Sequence, residues 1–182
     1  MGQTFEELIG LHLDDLYSAA LCFTQDARRA EELLQQASIR AFHEYRRARD
    51  QDFRRTMLGA LVSTYLQSER RLGRDPLAPA TAPGEEILYA TAGREFEPFP
   101  DPGTPGYRLL RNWIGRVWSL LDDGDRLILW LADVERLRHG IVGEMVGVPE
   151  EEARDRHYRA RLMLSQAAGR ALSERTAGGA EA

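Results

Sequence analysis

Residues 143–164 read GEMVGVPEEEARDRHYRARLML, and the punctuation inside that stretch decides how the chain folds. Gly147, Val148 and Pro149 separate a short run ending near Val146 from a longer helical run that begins at Glu150. A helix-turn-helix needs a small residue where its two helices cross, a glycine in the turn, apolar side chains facing inward and polar ones facing out. Gly143 is placed for the crossing and Gly147 for the turn, with Met145, Val146, Val148, Ala153 and Ala160 supplying the inner face. Pro149 suits the first turn of a helix, where its missing N–H leaves no bond unmade. At about 100° per residue, Ala153, His157, Ala160 and Leu164 share the inner side, whereas Glu151, Glu152, Asp155, Arg156 and Arg159 share the outer one.

The charges on that outer side pull in two directions. Glu152 and Arg156, and Asp155 and Arg159, stand four apart with the acid first, a pairing worth about 0.2–0.5 kcal/mol to a helix. Glu150, Glu151 and Glu152 suit the positive end of the helix dipole but occupy the place where that terminus would otherwise receive a phosphate. Arg154, Arg156, Arg159 and Arg161 are therefore either DNA contacts or one half of a salt-bridged, solvated face.

Outward from this stretch, helical spacing governs most of the chain. Thr4 and Glu7 have the spacing of a capping box. Ile9, Leu13, Leu16, Ala20 and Phe23 follow as one apolar stripe, which predicts a helix over 5–24. Asp26 caps a second helix running to about Arg49, with Ala30, Leu34, Ala37, Ala41 and Tyr45 in line and Leu33 and Phe42 widening the stripe. Asp50 or Asp52 caps a third, to about Arg71, along Phe53, Met57, Leu61 and Thr64. Three helices with short joins can share one small core.

The stretch LGRDPLAPATAPGEEILYATAGREFEPFPDPGTPG, residues 72–106, then holds all but one of the eight prolines. It reads as an extended linker over 73–104, with a short helical turn near Glu86 to Ala90. Periodicity returns with Leu110, Ile114, Val117 and Leu121, breaks at Asp122, Asp123 and Gly124, and resumes through Leu127, Leu131 and Val134. A short helix from Arg138 to Val146 precedes the turn, and the last helix is expected to end near Leu172, leaving a frayed tail over 175–182. No strand pattern or internal repeat stands out, so the expected class is all-α, with helical modules over 1–72 and 105–174.

All 24 basic residues are arginine, against 29 acids, a formal net charge of −5 that removes the simplest argument for nucleic-acid binding. The excess acidity lies mostly in residues 73–104, with two arginines and six acids, while both flanks are near neutral. No apolar run approaches the roughly 20 residues that span a bilayer, and the start MGQTFEEL lacks the basic and apolar regions of a signal peptide. The expected location is the cytoplasm. Cys22 is the sole cysteine and reads as a buried small apolar residue. His12 and His43 lack partners at metal spacing, His157 reads as a partly buried, satisfied histidine, and Trp113, Trp118 and Trp130 as core or interface anchors. The arginines at 46, 47, 49, 54 and 55 mark either a partner surface or a solvated corner. No nucleophile and base, phosphate-binding glycine loop or carboxylate pair appears. The expectation is a non-enzyme without cofactor or metal.

The order of parts, a three-helix module, an acidic proline-rich linker, and a helix-turn-helix entered through LDDGDRLILWLADVERL, resembles the extracytoplasmic-function (ECF) class of bacterial RNA polymerase sigma factors. The resemblance covers residues 5 to 172. It implies a region 2-like first module and a region 4-like second module, with core RNA polymerase and promoter DNA as partners and an anti-sigma factor as a possible regulator. In AEELLQQASIRAF it places polymerase contacts at Glu32, Gln35, Gln36 and Arg40. In VGVPEEEARDRHYRARLML it places promoter contacts at Arg154, Arg156, Arg159 and Arg161. The sequence departs from the family where promoter opening is carried: Thr56, Gly59, Val62, Ser63 and Gln67 occupy positions usually held by an aromatic, basic residues, Asn and Asp. Ser38 stands where an aromatic and Gln36 where an acid is expected. Base stacking contributes about 1–3 kcal/mol per base, so these changes imply weakened strand opening. The alternative is a sigma-like adaptor, or a decoy for an anti-sigma factor, that acts by protein binding without opening promoters.

Overall fold

The computed structural model describes residues 4–47, 52–78 and 121–178, and among these every regular element is helical, with no strand. They fall into two compact units. The first is drawn from Met1–Pro76 with Glu144–Gly147, the second from Leu77–Gly143 with Val148–Ala182. Most of the acidic linker, the helix expected through Leu110 to Val117, and Trp113 and Trp118 lie outside the described residues.

In the first unit, α1 spans Phe5–Thr24, α2 Ala27–Arg47 and α3 Phe53–Arg71. Each begins where a side chain can take a free amide. Glu7 N–H donates to Thr4 Oγ1 at 3.2 Å and Thr4 N–H to Glu7 Oε2 at 3.0 Å, closing the capping box. Asp26 accepts from Arg29 N–H at 2.8 Å, and Asp52 from Arg54 N–H at 3.0 Å. The third helix stops in a glycine-dependent turn. Gly73 takes φ +72°, its N–H reaches Arg70 O, and Arg74 N–H reaches Glu69 O, the paired bonds that satisfy the last carbonyls of a helix.

α2 packs against both neighbours, and α1 also meets α3. Leu16, Ala20 and Phe23, then Ala30, Leu33, Ala37 and Ala41, then Phe53, Met57, Leu61 and Thr64 are buried as their stripes require. Leu13 departs from its stripe and is 45% exposed, because burial on α1 passes instead through Phe5, Ala19 and Cys22. Phe5 stacks edge-on with Phe42 and Phe53, and Phe23 lies 5.8 Å from Tyr65 between ring centroids. Glu69 is buried and paired with Arg29, with Arg74 at 3.6 Å, so the core carries one acid held by two cations.

In the second unit, α4 spans Asp123–Leu129, started by Asp122, whose side chain accepts from Asp125 N–H at 2.7 Å. It runs on into a π turn, Trp130–Val134, and the chain leaves it through Arg136 at φ +55°. The helix α5 spans His139–Val146 and α6 Glu150–Gly178. α6 therefore continues past the expected end near Leu172. The residues from 173 are mostly good helix formers, and the first paired glycines come only at 178 and 179. Leu127, Ile128, Leu129 and Leu131 are fully buried, α4 packs on α6, and Ala153 and Ala160 of α6 are buried. Between α5 and α6 the two glycines have the expected jobs. A Cβ on Gly143 would sit 2.7 Å from Val148 O, and Gly147 takes φ +83°.

Candidate functional site

The outward face of α2 is built by the same periodicity that buries its inner face. Glu32, Gln35, Gln36 and Arg40, the residues assigned to polymerase, are all exposed, at steps that keep them on one side of the helix. Two are pre-positioned by neighbours a turn away: Arg28 Nε lies 3.1 Å from Glu32 and Arg40 Nε 3.4 Å from Glu44. Both pairs are largely solvated, so they orient side chains more than they stabilise the helix. Ile39 stands in the middle of this face, 59% exposed. The sequence reasoning missed it, although the signal was present: an isoleucine off the buried stripe, flanked by polar residues. Ser38 is half-buried and spends its hydroxyl on Leu34 O at 2.8 Å.

On α3, the positions where the family resemblance places strand-opening residues divide. Val62 is fully buried and Thr56 nearly so, with the Thr56 hydroxyl donating to Asp52 O at 3.1 Å. Ser63 turns its hydroxyl back to Ala60 O, Gly59 is half-buried, and Gln67 is exposed. Arg54, in the arginine cluster at the α2–α3 join, reaches Asp15 at 3.0 Å.

The arginines of α6 differ most from the sequence expectation. Arg156 and Arg159 do not share an outer face with Glu151. Arg156 is 5% exposed. Its Nε donates to Glu152 at 3.0 Å, and its Nη2 donates to Leu77 O at 2.7 Å and Ala78 O at 3.1 Å, all within the second unit. Arg159 grips Asp125 with both ends of its fork, Nε to Oδ2 at 2.7 Å and Nη2 to Oδ1 at 2.5 Å. It does so in place of the expected pairing with Asp155, which lies instead 3.8 Å from Arg154. Arg161 Nε donates to Asp133 at 2.8 Å. Arg154 remains the most open of the set, with its side chain 43% exposed. The period of the helix was right, but the inner face is wider than the apolar residues alone mark out. Asp125 and Asp133 on the preceding segment draw cations inward.

Asp125 is the hub of this arrangement and is almost wholly buried. Burial, reinforced by Asp122, holds its carboxyl above the usual carboxylate range in spite of the Arg159 hydrogen bond and the charges of Arg159 and Arg156. For Arg159 burial pulls downward, but the hydrogen bond and charge of Asp125, with the charges of Asp122 and Glu152, overcome it and hold the guanidinium above its ordinary value. The carboxyl is the more deeply buried of the two groups and loses more hydration.

A second cluster joins the turn at the end of α4 to α5 and α6. His139 Nε2 lies 2.9 Å from His157 Nδ1. His157 Nε2 lies 3.1 Å from Asp133 Oδ1, close but out of line for a good hydrogen bond, and Asp133 also accepts from Arg161. Trp130 Nε1 donates to Glu135 at 3.2 Å. Among the described residues, no three histidine, cysteine or acidic side chains converge to hold a metal ion, and no helix is long and apolar enough to cross a membrane. No protein-family model matches the chain.

Proposed function

We propose that this chain is an ECF-type sigma factor that binds core RNA polymerase through the outer face of α2. What supports the reading is that face itself: Glu32, Gln35, Gln36 and Arg40 stand clear of the core around an exposed Ile39. An apolar side chain ringed by polar ones has the composition of a protein-binding patch, with a centre that can be desolvated and a rim that fixes register. In this reading the second module carries promoter recognition, with Arg154 the arginine nearest to readiness, and a cytoplasmic location follows from the partner.

A second reading is favoured by a separate observation. Arg156, Arg159 and Arg161 are committed to internal carboxylates, and Val62 and Thr56 are turned into the core. An adaptor or anti-sigma decoy would bind polymerase, or the anti-sigma factor, without opening DNA. Run-off transcription by core polymerase plus the purified chain, on a template carrying the gene's own upstream region, separates the two. The sigma reading expects a discrete transcript that fades steeply with added salt as phosphate contacts are lost. Polymerase binding with no transcript on any template favours the adaptor.

A further inference from the structure

The paired rings of His139 and His157 join the start of α5 to α6, and the proposed function makes no use of them. His139 opens α5, His157 is buried in α6, and Asp133 closes the turn after α4. A hydrogen bond between two imidazole nitrogens 2.9 Å apart needs one proton between them. With both rings neutral, His139 Nε2–H donates to His157 Nδ1, and the remaining proton of His157 faces Asp133. One added proton can be held on the far nitrogen of His139 without breaking the bond. With both rings charged, two N–H groups point at each other.

We propose that this histidine pair is an acid-released latch that fastens α5 to α6 at neutral pH and lets go once both rings carry a proton. The groups facing the pair are known from each neighbouring element. Asp133 comes from the turn after α4, and Glu150, Arg154, Tyr158 and Arg161 come from α6. Burial first, then the charges of His157 and Arg154, hold His139 below the ordinary histidine value, against weaker support from Glu150 and Asp133. The sign follows from linkage. A histidine depressed in the fold takes its proton more readily when the fold opens, so its stabilising share is complete above about pH 6.5 and is lost as pH falls below that.

The test is hydrogen exchange, helix by helix, on the full chain at about pH 7.5 and about pH 5, corrected for the intrinsic pH dependence of exchange, with melting curves at both values. His139→Gln is the paired variant, because its amide can still donate to His157 but cannot take up a proton. We expect protection in α5 and the first turns of α6 to fall at the lower pH while α1 to α3 keep theirs. We expect the melting temperature of wild type to drop more than that of His139→Gln. A variant in which His12 and His43 of the first unit are both changed to Gln should keep the wild-type drop. Equal drops in wild type and His139→Gln, or a loss of protection spread evenly over all helices, would overturn the latch. Should His139→Gln fail to fold at neutral pH, the wild-type exchange pattern still decides.

Discussion

Asp125 shows how much of the second unit rests on one carboxylate. It receives the Arg159 fork, lies 3.8 Å from Arg156 Nη1, and has almost no contact with water. Removing one partner of a buried ion pair leaves the other charge without compensation, which costs about 3–5 kcal/mol. Asp125→Ala should therefore lower stability by about that much in urea unfolding. Replacing Asp125 and Arg159 together by methionine should recover most of the loss, since an apolar pair carries no desolvation debt. The raised carboxyl of Asp125 adds a sign of its own. The folded state holds that proton more tightly than the unfolded chain, so this residue's contribution falls as pH rises from about 3.9 through its folded value. That trend runs opposite to the His139 effect, and Asp125→Asn should remove it from a plot of stability against pH.

Among the helices, α5 and α6 cross in close backbone contact at Gly143. Gly143 leaves no room for a methyl group, because Val148 O would lie 2.7 Å from it and backbone cannot swing aside. Gly143→Ala should cost about 1–3 kcal/mol by overpacking, read as a lowered urea midpoint, whereas the same change at Gly59, with open space at its Cβ, should cost nothing and could gain from better helix propensity. This crossing was readable from GEMVGVP alone, because a glycine needed for space and a glycine needed for positive φ leave a spacing that few other structures require. The caps at Thr4 and Asp26 were equally plain, and the third lay between Asp50 and Asp52, since each cap rests on contacts within three residues. The inward turn of Arg156 and Arg159 was hidden for the opposite reason. Their partners, Leu77 and Asp125, stand far away in the chain, and a helical wheel drawn for α6 holds no information about a carboxylate on another helix. Ile39 was visible as an apolar residue off the stripe, but only its exposure separates a surface anchor from a core that is merely broader than drawn.

For the molecule as a whole, the charges favour a protein partner over free nucleic acid. The chain carries a net charge of −5, and Arg156, Arg159 and Arg161 of α6 are tied to acids of the same chain. Isolated chain should therefore bind duplex DNA weakly, with a shallow dependence on salt, since three of the α6 arginines are already paired with acids. A steep salt slope for the chain alone, measured by fluorescence anisotropy, would contradict that expectation. Among the described residues the α2 face has no comparable internal commitment: Ile39 stands outside the core, and Glu32 and Arg40 pair with neighbours on their own helix.

The most direct measurement is a titration of core RNA polymerase with the labelled full chain, run alongside Ile39→Asp and Arg40→Glu variants whose helical content and melting temperature match the wild type. A saturable complex that each substitution weakens by about tenfold or more, or about 1.4 kcal/mol, is the predicted result. Wild-type affinity in both variants, or no complex between polymerase and the unaltered chain, would contradict the assignment of α2 as the docking face.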